Sequence, residues 1–286
     1  MQATSTSASS PRLRVGFILT RRFTLCAFAN FVDVLRLAAD EGDGSRPILC
    51  GWRVLSTTTE PVISSSGIAV QPEERLGDPA HAEFLHRAAE GGVPLVGVCT
   101  GAFVLHRAGL LHGYRCCVSW FHHNDFLEQF GGITPVSDQI FVVDRDRLTC
   151  SGGTSSAHLA AFLVDRHIGR AAAKKSLAIM MIDEAMAAER PQPGLPLELS
   201  TADPLVRKAL LTIQQRLEAP MTVAALAVHL KTSRRKLERH FAEALKMTPS
   251  QASKAIRLSH AELVLSRSAR NVPQVAQDCG FVDASH

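Results

Sequence analysis

The chain has no apolar run that approaches the length of a membrane-spanning helix. Its first residues, MQATSTSASSPRLR, are polar and hold no apolar stretch of the kind a secretory signal needs, so no signal peptide is expected there. The first dozen residues read as a disordered tail. Seven cysteines are present, but they form no CxxC pair and no even framework. Cys116 and Cys117 are adjacent, which suits neither a disulfide scaffold nor a zinc site. The expectation is a reducing, cytoplasmic setting, with no membrane partner, no metal and no cofactor.

What is present is the composition of a globular protein, 46% hydrophobic and 20% charged over 286 residues, which is enough for two ordinary cores. The formal net charge of +4 is unevenly placed. From Ser200 onward, 13 Lys and Arg face 7 Asp and Glu, a net +6; the remainder has 18 against 20, a net −2. A near-neutral body with a basic tail fits attraction of phosphate backbone by the tail alone, or a basic but inert surface.

The tail carries a pattern. From Thr222 the chain reads TVAALAVHLKTSRRKLERHF. An apolar, Ala-rich helix (Val223, Leu226, Ala227, Leu230) meets the short turn Lys231-Thr232-Ser233. A second helix then turns Arg234, Arg235, Lys236 and Arg239 outward, with Leu237 and Phe241 four apart facing inward. Two short helices, a tight turn and a cationic outer face make a helix-turn-helix pattern. From Asn271, NVPQVAQDCGFVDASH starts the pattern again, and His286 falls where the outer helix of this second copy should begin.

Ahead of this, short apolar runs alternate with helical spacing. Leu13–Leu19, Trp52–Leu55, Pro94–Val98, Arg115–Trp120, Ile140–Val143 and Leu148–Cys150 read as strands. Phe23–Ala39, His81–Glu90, Gly101–Ala108, Thr154–His167 and Ala171–Glu189 read as helices, and Val62–Val70 as an edge hairpin. Alternation of this kind predicts an α/β domain with a mainly parallel, flavodoxin-like sheet over 12–189. Four prolines and a glycine between Arg190 and Pro204 place a linker at 190–203. An all-α domain follows at 204–286, with two helix-turn-helix units, the second truncated.

One turn carries chemistry. Cys99 lies between a strand and a helix, flanked by Gly97 and Gly101. A residue on such a turn takes a strained backbone and is presented at the carboxyl end of the sheet, near a helix N-terminus. That position favours a thiolate and anions. Three readings stand: a nucleophile, a former active-site elbow that lines a ligand pocket, or a structural turn. A nucleophile needs a base, and Thr100, not histidine, follows Cys99. His106 should point elsewhere, while His122 and His123 follow a later strand end. Ligands of open α/β sheets bind beyond the carboxyl ends of strands. The candidate ligand residues there are Cys99, Thr100, Trp120, His122, Ser151, Gly152 and Gly153. Trp120 is either core or an aromatic wall suited to an ammonium group.

The segments GVCTGAFVLHRAGLL (Gly97–Leu111), RCCVSWFHHNDF (Arg115–Phe126) and DQIFVVDRDRLTCSGG (Asp138–Gly153) stand in order, followed by SRRKLERHF, TPSQ and VPQVAQDCGFVDASH. On these the chain resembles AraC/XylS-type transcriptional regulators of the GlxA-like subgroup, over roughly Leu13 to His286. In that group a DJ-1/PfpI, amidotransferase-like domain precedes the DNA-binding domain. The resemblance implies a cytoplasmic, homodimeric regulator that binds double-stranded DNA, responds to a small-molecule effector and, if an activator, meets RNA polymerase. RCCVSW and DRLTCSGG look like the branch that senses arginine, carnitine or glycine betaine. By position, Arg235, Glu238 and Arg239 match the family's base-contacting places. Ser233, Arg234 and Lys236 then match phosphate contacts. The competing readings are a cysteine-dependent amidase or deglycase using Cys99, and a regulator that only dimerises.

Four departures from the family pattern stand out. The usual apolar strand ending in paired glycines is absent, because Gln71-PEERLGDPA runs straight into His81. The usual turn glycine is Lys231, and Lys246 holds a similar place after the recognition helix. The helix from Pro273 to Cys279 is expected to lose the partner that a second recognition helix would supply.

Overall fold

The structure, a computed structural model, describes residues 10–42, 44–76, 81–133, 135–192, 199, 201, 203–267 and 271–281. Most of the expected tail, much of the expected linker and the last five positions of the second helix-turn-helix copy lie outside the described residues. No described helix is long and apolar enough to cross a membrane. The chain divides into two compact units, Met1–Gln192 and Pro193–His286.

The first unit is mixed α/β. Its order is β1 (Leu13–Ile18), α1 (Leu25–Ala38), β2 (Cys50–Ser56), β3 (Val62–Ile63), β4 (Ala69–Val70), β5 (Glu74–Arg75), α2 (His81–Glu90), β6 (Leu95–Val98) and α3 (Gly101–Arg107). A 3-10 turn at Trp120–His122 leads into α4 (His123–Gln129), β7 (Phe141–Asp144), β8 (Arg147–Cys150), α5 (Ser155–His167) and α6 (Arg170–Ile179). Strands β1, β2 and β5 pair in parallel, β6 pairs in parallel with β8, and β7 closes an antiparallel hairpin on β8. The strands fall into two separate three-stranded sheets, β1-β2-β5 and β6-β8-β7, and a two-stranded antiparallel pair, β3-β4, at the expected edge hairpin. No strand among the described residues joins the two three-stranded sheets.

One core spans the break. Phe31, Val34 and Leu35 of α1 meet Leu159, Leu163 and Val164 of α5, above Leu13, Leu148 and Cys150. Val15 and Phe17 of β1 and Val96 and Val98 of β6 pack on this core but stay partly exposed. A second core, Leu95, Phe103, Leu111 and Phe126, covers the other face of β6.

Two expectations are corrected. Arg115–Trp120 is not a strand; it makes one isolated bridge, Cys117 with Val136. Two backbone bonds join it to Val136, and side chains meet other polar groups, as when the Cys117 N–H donates to Thr149 Oγ1 at 2.7 Å. The helix expected to Glu189 stops at Ile179, because Met181 takes a left-handed φ of 59°. Met181 N–H then bonds Ala178 O and Ile182 N–H bonds Leu177 O, which closes the helix end in a Schellman motif.

The second unit is α-helical: α7 (Pro204–Gln214), α8 (Val223–His229), α9 (Arg234–Leu245), α10 (Pro249–Arg267) and α11 (Val272–Asp278). Leu226, Leu237, Phe241 and Ile256 are buried in its core. The internal repeat is visible atom by atom. Thr222 caps α8 through a bond from Ala225 N–H, and Asn271 caps α11 through one from Gln274 N–H. Both helices end alike. Thr232 N–H bonds Ala227 O with Lys231 left-handed, and Phe281 N–H bonds Ala276 O with Gly280 left-handed. Helix α11 is held by other contacts within the unit. Arg257 Nη1 donates to Gly280 O at 2.8 Å and lies over the Phe281 ring. A Cβ on Gly280 would stand 2.5 Å from Leu217 O, so this helix end sits directly on the chain after α7.

Lys231 (φ 53°) holds the place that Gly280 holds in the second copy. A non-glycine residue in left-handed backbone costs about 1 kcal/mol or more. Lys231→Gly should therefore stabilise the second unit by about 1 kcal/mol, read as a higher urea midpoint at unchanged slope. An unchanged or lowered midpoint contradicts this.

Candidate ligand site and nucleic-acid interface

Cys99 occupies the sharp turn after β6, with a left-handed φ of 57°. Its N–H donates to Cys150 O at 3.1 Å, which ties the turn to the end of β8. Two glycines make room. A Cβ on Gly97 would stand 3.0 Å from Ala102 N at the start of α3, and one on Gly152 would stand 2.6 Å from Cys99 Cβ and 2.8 Å from its Sγ. Cys99 Sγ lies 3.5 Å from Thr24 Oγ1, at the residue before α1. Asn30 of α1 donates to Gly153 O at 3.3 Å. The carboxyl ends of β6 and β8 and the start of α1, the helix after β1, thus meet at one turn.

Cys99 differs from the chain's buried thiols. Burial pushes Cys116 up to about 11 and Cys117 well above the ordinary thiol range. Burial also raises Cys150, against hydrogen bonds from the Gly152 and Cys99 backbone. Those three stay protonated and structural, whereas Cys99 is half-buried. None of the three candidate histidines bonds Cys99 among the described residues. His106 packs on Phe126 and Phe130, His122 Nδ1 lies 2.8 Å from Asp125 Oδ2, and His123 Nδ1 lies 2.9 Å from Ser137 Oγ.

The other candidate ligand residues fall into two groups. Ser151, Gly152 and Gly153 join the Cys99 turn. Ser151 donates twice to Ile140 O, through N–H at 3.0 Å and Oγ at 3.2 Å. The carbonyls of Gly152 and Gly153 accept from Ser155 and Ser156, each at 2.7 Å. Thr100 precedes α3 and is exposed. Trp120 and His122 sit on the 3-10 turn, beside the exposed Phe121. No hydrogen bond, ion pair or ring contact among the described residues links either of them to Cys99. Thr24, Asn30 and Gln192 are absent from the sequence reading. Thr24 and Asn30 come from a helix 75 and 123 positions away from their partners, and no local pattern signals such contacts.

The helix that follows the Lys231 turn is α9. Ser233 caps it by accepting Lys236 N–H at 3.2 Å, so its hydroxyl proton stays available to an outside acceptor. Arg235, Glu238 and Arg239 share one face at helical spacing, with Leu237 and Phe241 buried on the opposite side. Arg235 and Lys236 are exposed and form no ion pair among the described residues. Arg234 Nε donates to Glu238 Oε1 at 2.8 Å, and Arg239 Nε lies 3.9 Å from Glu243 Oε1. Such exposed pairs are worth about 0–1 kcal/mol, so both arginines and Glu238 can exchange partners at little cost.

Asp203 holds this helix in place. Its Oδ1 caps α7 by accepting Leu205 and Val206 N–H at 2.8 and 3.1 Å, and its Oδ2 lies 2.7 Å from His240 Nδ1 of α9. Burial pushes the carboxyl up, but bonds from Val206, His240 and Leu205 outweigh it and hold Asp203 below its ordinary value. A depressed carboxylate contributes stability above its unfolded value of about 4 and loses it as pH falls through the folded value. Asp203→Ala should cost about 1–2 kcal/mol at neutral pH, as lost helix caps do. The difference from wild type should fade below about pH 4. Urea titrations at several pH values test this, and a pH-independent difference contradicts it.

With both sites described, similarity to known proteins can be set against them. The helix-turn-helix domain family model matches residues 226–286. The HTH-type transcriptional regulator GbdR of Pseudomonas aeruginosa (strain UCBPP-PA14) is 32% identical over 294 residues, covering 95% of this chain and 79% of that relative. Isonitrile hydratase of Pseudomonas putida is 31% identical over 178 residues, 55% of this chain and 73% of the relative. A solved AraC family transcriptional regulator from Pseudomonas putida aligns with a TM-score of 0.50 at 26% identity, over 59% of this chain and 99% of that one. A THiJ/PfpI family protein from Pseudomonas syringae aligns with a TM-score of 0.50 at 17% identity, over 85% and 90%, which shows a shared fold. A likeness to GbdR that runs through most of both chains, together with the basic helix-turn-helix, establishes the family. The chain belongs to the AraC-type, GlxA-like transcriptional regulators, DNA-binding proteins in which a DJ-1/PfpI-like α/β unit precedes a helix-turn-helix unit.

Proposed function

We propose that the α/β unit senses a small zwitterionic amine or amino-acid-like ligand, of the arginine, carnitine or betaine type, and that the helical unit turns occupancy into altered DNA binding. The observation that carries this is the Cys99 turn. The ends of β6 and β8 and the start of α1 converge on a presented thiol whose side-chain partner is Thr24 Oγ1, with no hydrogen bond to a histidine among the described residues. Such a turn suits binding more than hydrolysis, since a hydrolytic cysteine needs a positioned base. In the Ser151-Gly152-Gly153 turn before α5, Ser151 N–H is bonded to Ile140 O and Gly152 N–H to Cys150, so Gly153 N–H would receive the ligand's carboxylate. Trp120 would face the cationic head. A homodimer on double-stranded DNA, in contact with RNA polymerase if the protein activates, completes the proposal.

The similarity to isonitrile hydratase favours one second reading, a cysteine-dependent enzyme. Turnover of a small amide, ester or isonitrile by wild type and not by Cys99→Ser would establish it.

On DNA, Arg235, Glu238 and Arg239 would read base edges, while Ser233, Arg234 and Lys236 would hold phosphates. Arg235→Ala and Arg239→Ala should relax base preference, each bidentate contact discriminating by roughly 1–3 kcal/mol. Lys236→Ala should weaken all sequences alike and flatten the salt dependence. A binding-site selection on the three variants decides, and an unchanged preference in both arginine variants contradicts the placement of α9 in the major groove.

In the ligand site, a desolvated cation–π contact is worth about 2 kcal/mol, or roughly thirtyfold in affinity. Calorimetric titration of wild type and Trp120→Ala with glycine betaine, carnitine and arginine should show a loss of that order for the ligand that binds. Equal affinity in the two proteins would make Trp120 a packing residue.

A further inference from the structure

Gln192 is the last residue of the first unit, and its side chain is buried, at 4% exposure. Its Oε1 accepts Trp120 N–H at 2.8 Å. Its Nε2 donates to Val118 O at 3.0 Å and Gln139 O at 2.7 Å. Chemistry allows the amide one orientation, because an N–H needs the oxygen and two carbonyls need the NH₂ group. Both amide protons and the oxygen are therefore used. The segment before Trp120 has one isolated bridge instead of a ladder, and the Gln192 amide meets polar groups that a neighbouring strand would otherwise meet.

The backbone beside Gln192 is wired to the second candidate segment. Arg190 O accepts Ile140 N–H at 2.9 Å, and Ile140 O accepts both bonds from Ser151. The three residues that end the first unit thus touch the Trp120 turn directly and the Ser151 turn through one residue. These are the two segments assigned above to the head and the carboxylate of the ligand.

We propose that Gln192 is the positioning residue that couples the Trp120 turn to the segment leading along the chain into the DNA-binding unit. A ligand that moves the Trp120 backbone changes the bond to Gln192 Oε1, and residues 190–192 move with it. The inference rests on the ligand site proposed above, but its mechanical half is tested without ligand.

Hydrogen exchange in the full chain reads the coupling, at the Trp120 and Ile140 amides. Gln192→Ala should speed exchange at both by at least about tenfold, and by more than at the amides of β1, which separates a local effect from general loss of stability. Gln192→Glu keeps an acceptor for Trp120 N–H but sets a carboxylate against two carbonyl oxygens, which should expel the side chain and speed exchange at both at neutral pH. Acceleration at Trp120 alone, or wild-type exchange in Gln192→Glu, would overturn the proposal. A second arm uses glycine betaine and a DNA fragment selected by the wild-type chain. Where betaine shifts wild-type DNA affinity, Gln192→Ala should still bind betaine and DNA but lose the shift; a retained shift refutes the coupling. If betaine does not bind wild type, the ligand assignment fails, and the exchange results alone decide the role of Gln192.

Discussion

No ladder hydrogen bond joins β1 to β6 among the described residues, so the two half-sheets of the first unit depend on packing of α1 against α5. The magnitudes favour this. Fully burying a side chain such as Phe31, Leu35 or Leu159 stabilises by about 1.5–3 kcal/mol, while a backbone hydrogen bond nets about 1 kcal/mol. A few such residues outweigh the missing ladder. The same packing sets the candidate site, because Thr24 and Asn30 belong to α1 and its approach, and they reach Cys99 and Gly153 of the other half. A change that loosens α1 from α5 would therefore disturb the turn as well as the core.

The second unit rests on repeated local devices. Thr222 and Asn271 start two equivalent helices, and Lys231 and Gly280 end them with the same pair of backbone bonds. Thr248 and Gln251 exchange reciprocal cap bonds at the start of α10. These are short-range choices written into neighbouring residues, so the helical pattern of this unit was legible from the sequence. Apolar spacing in Leu237 and Phe241 placed the buried face of α9, and both are fully buried.

Legibility falls where the deciding partner is distant. The glycines beside Cys99 marked a sharp turn, but Gly152 makes equal room and lies 53 positions on. The absent strand was readable as a gap before His81, whereas the division into two sheets follows only from pairing. Arg115–Trp120 has the apolar character of a strand, but its polar groups pair with Thr149 and Gln192 side chains. Helix α6 looked longer because a methionine takes a left-handed position that glycine usually signals. Gln192 sat in a proline-rich stretch whose composition says only that helices stop.

A regulator of this design must obey linkage: whatever a ligand does to DNA affinity, DNA does to ligand affinity. The direct test is to measure both on the full chain, with one selected DNA site, one salt concentration and whichever of glycine betaine, carnitine or arginine binds. The account predicts equal factors in the two directions, on the order of fivefold or more. A ligand that binds the protein tightly and leaves DNA affinity unchanged would contradict it.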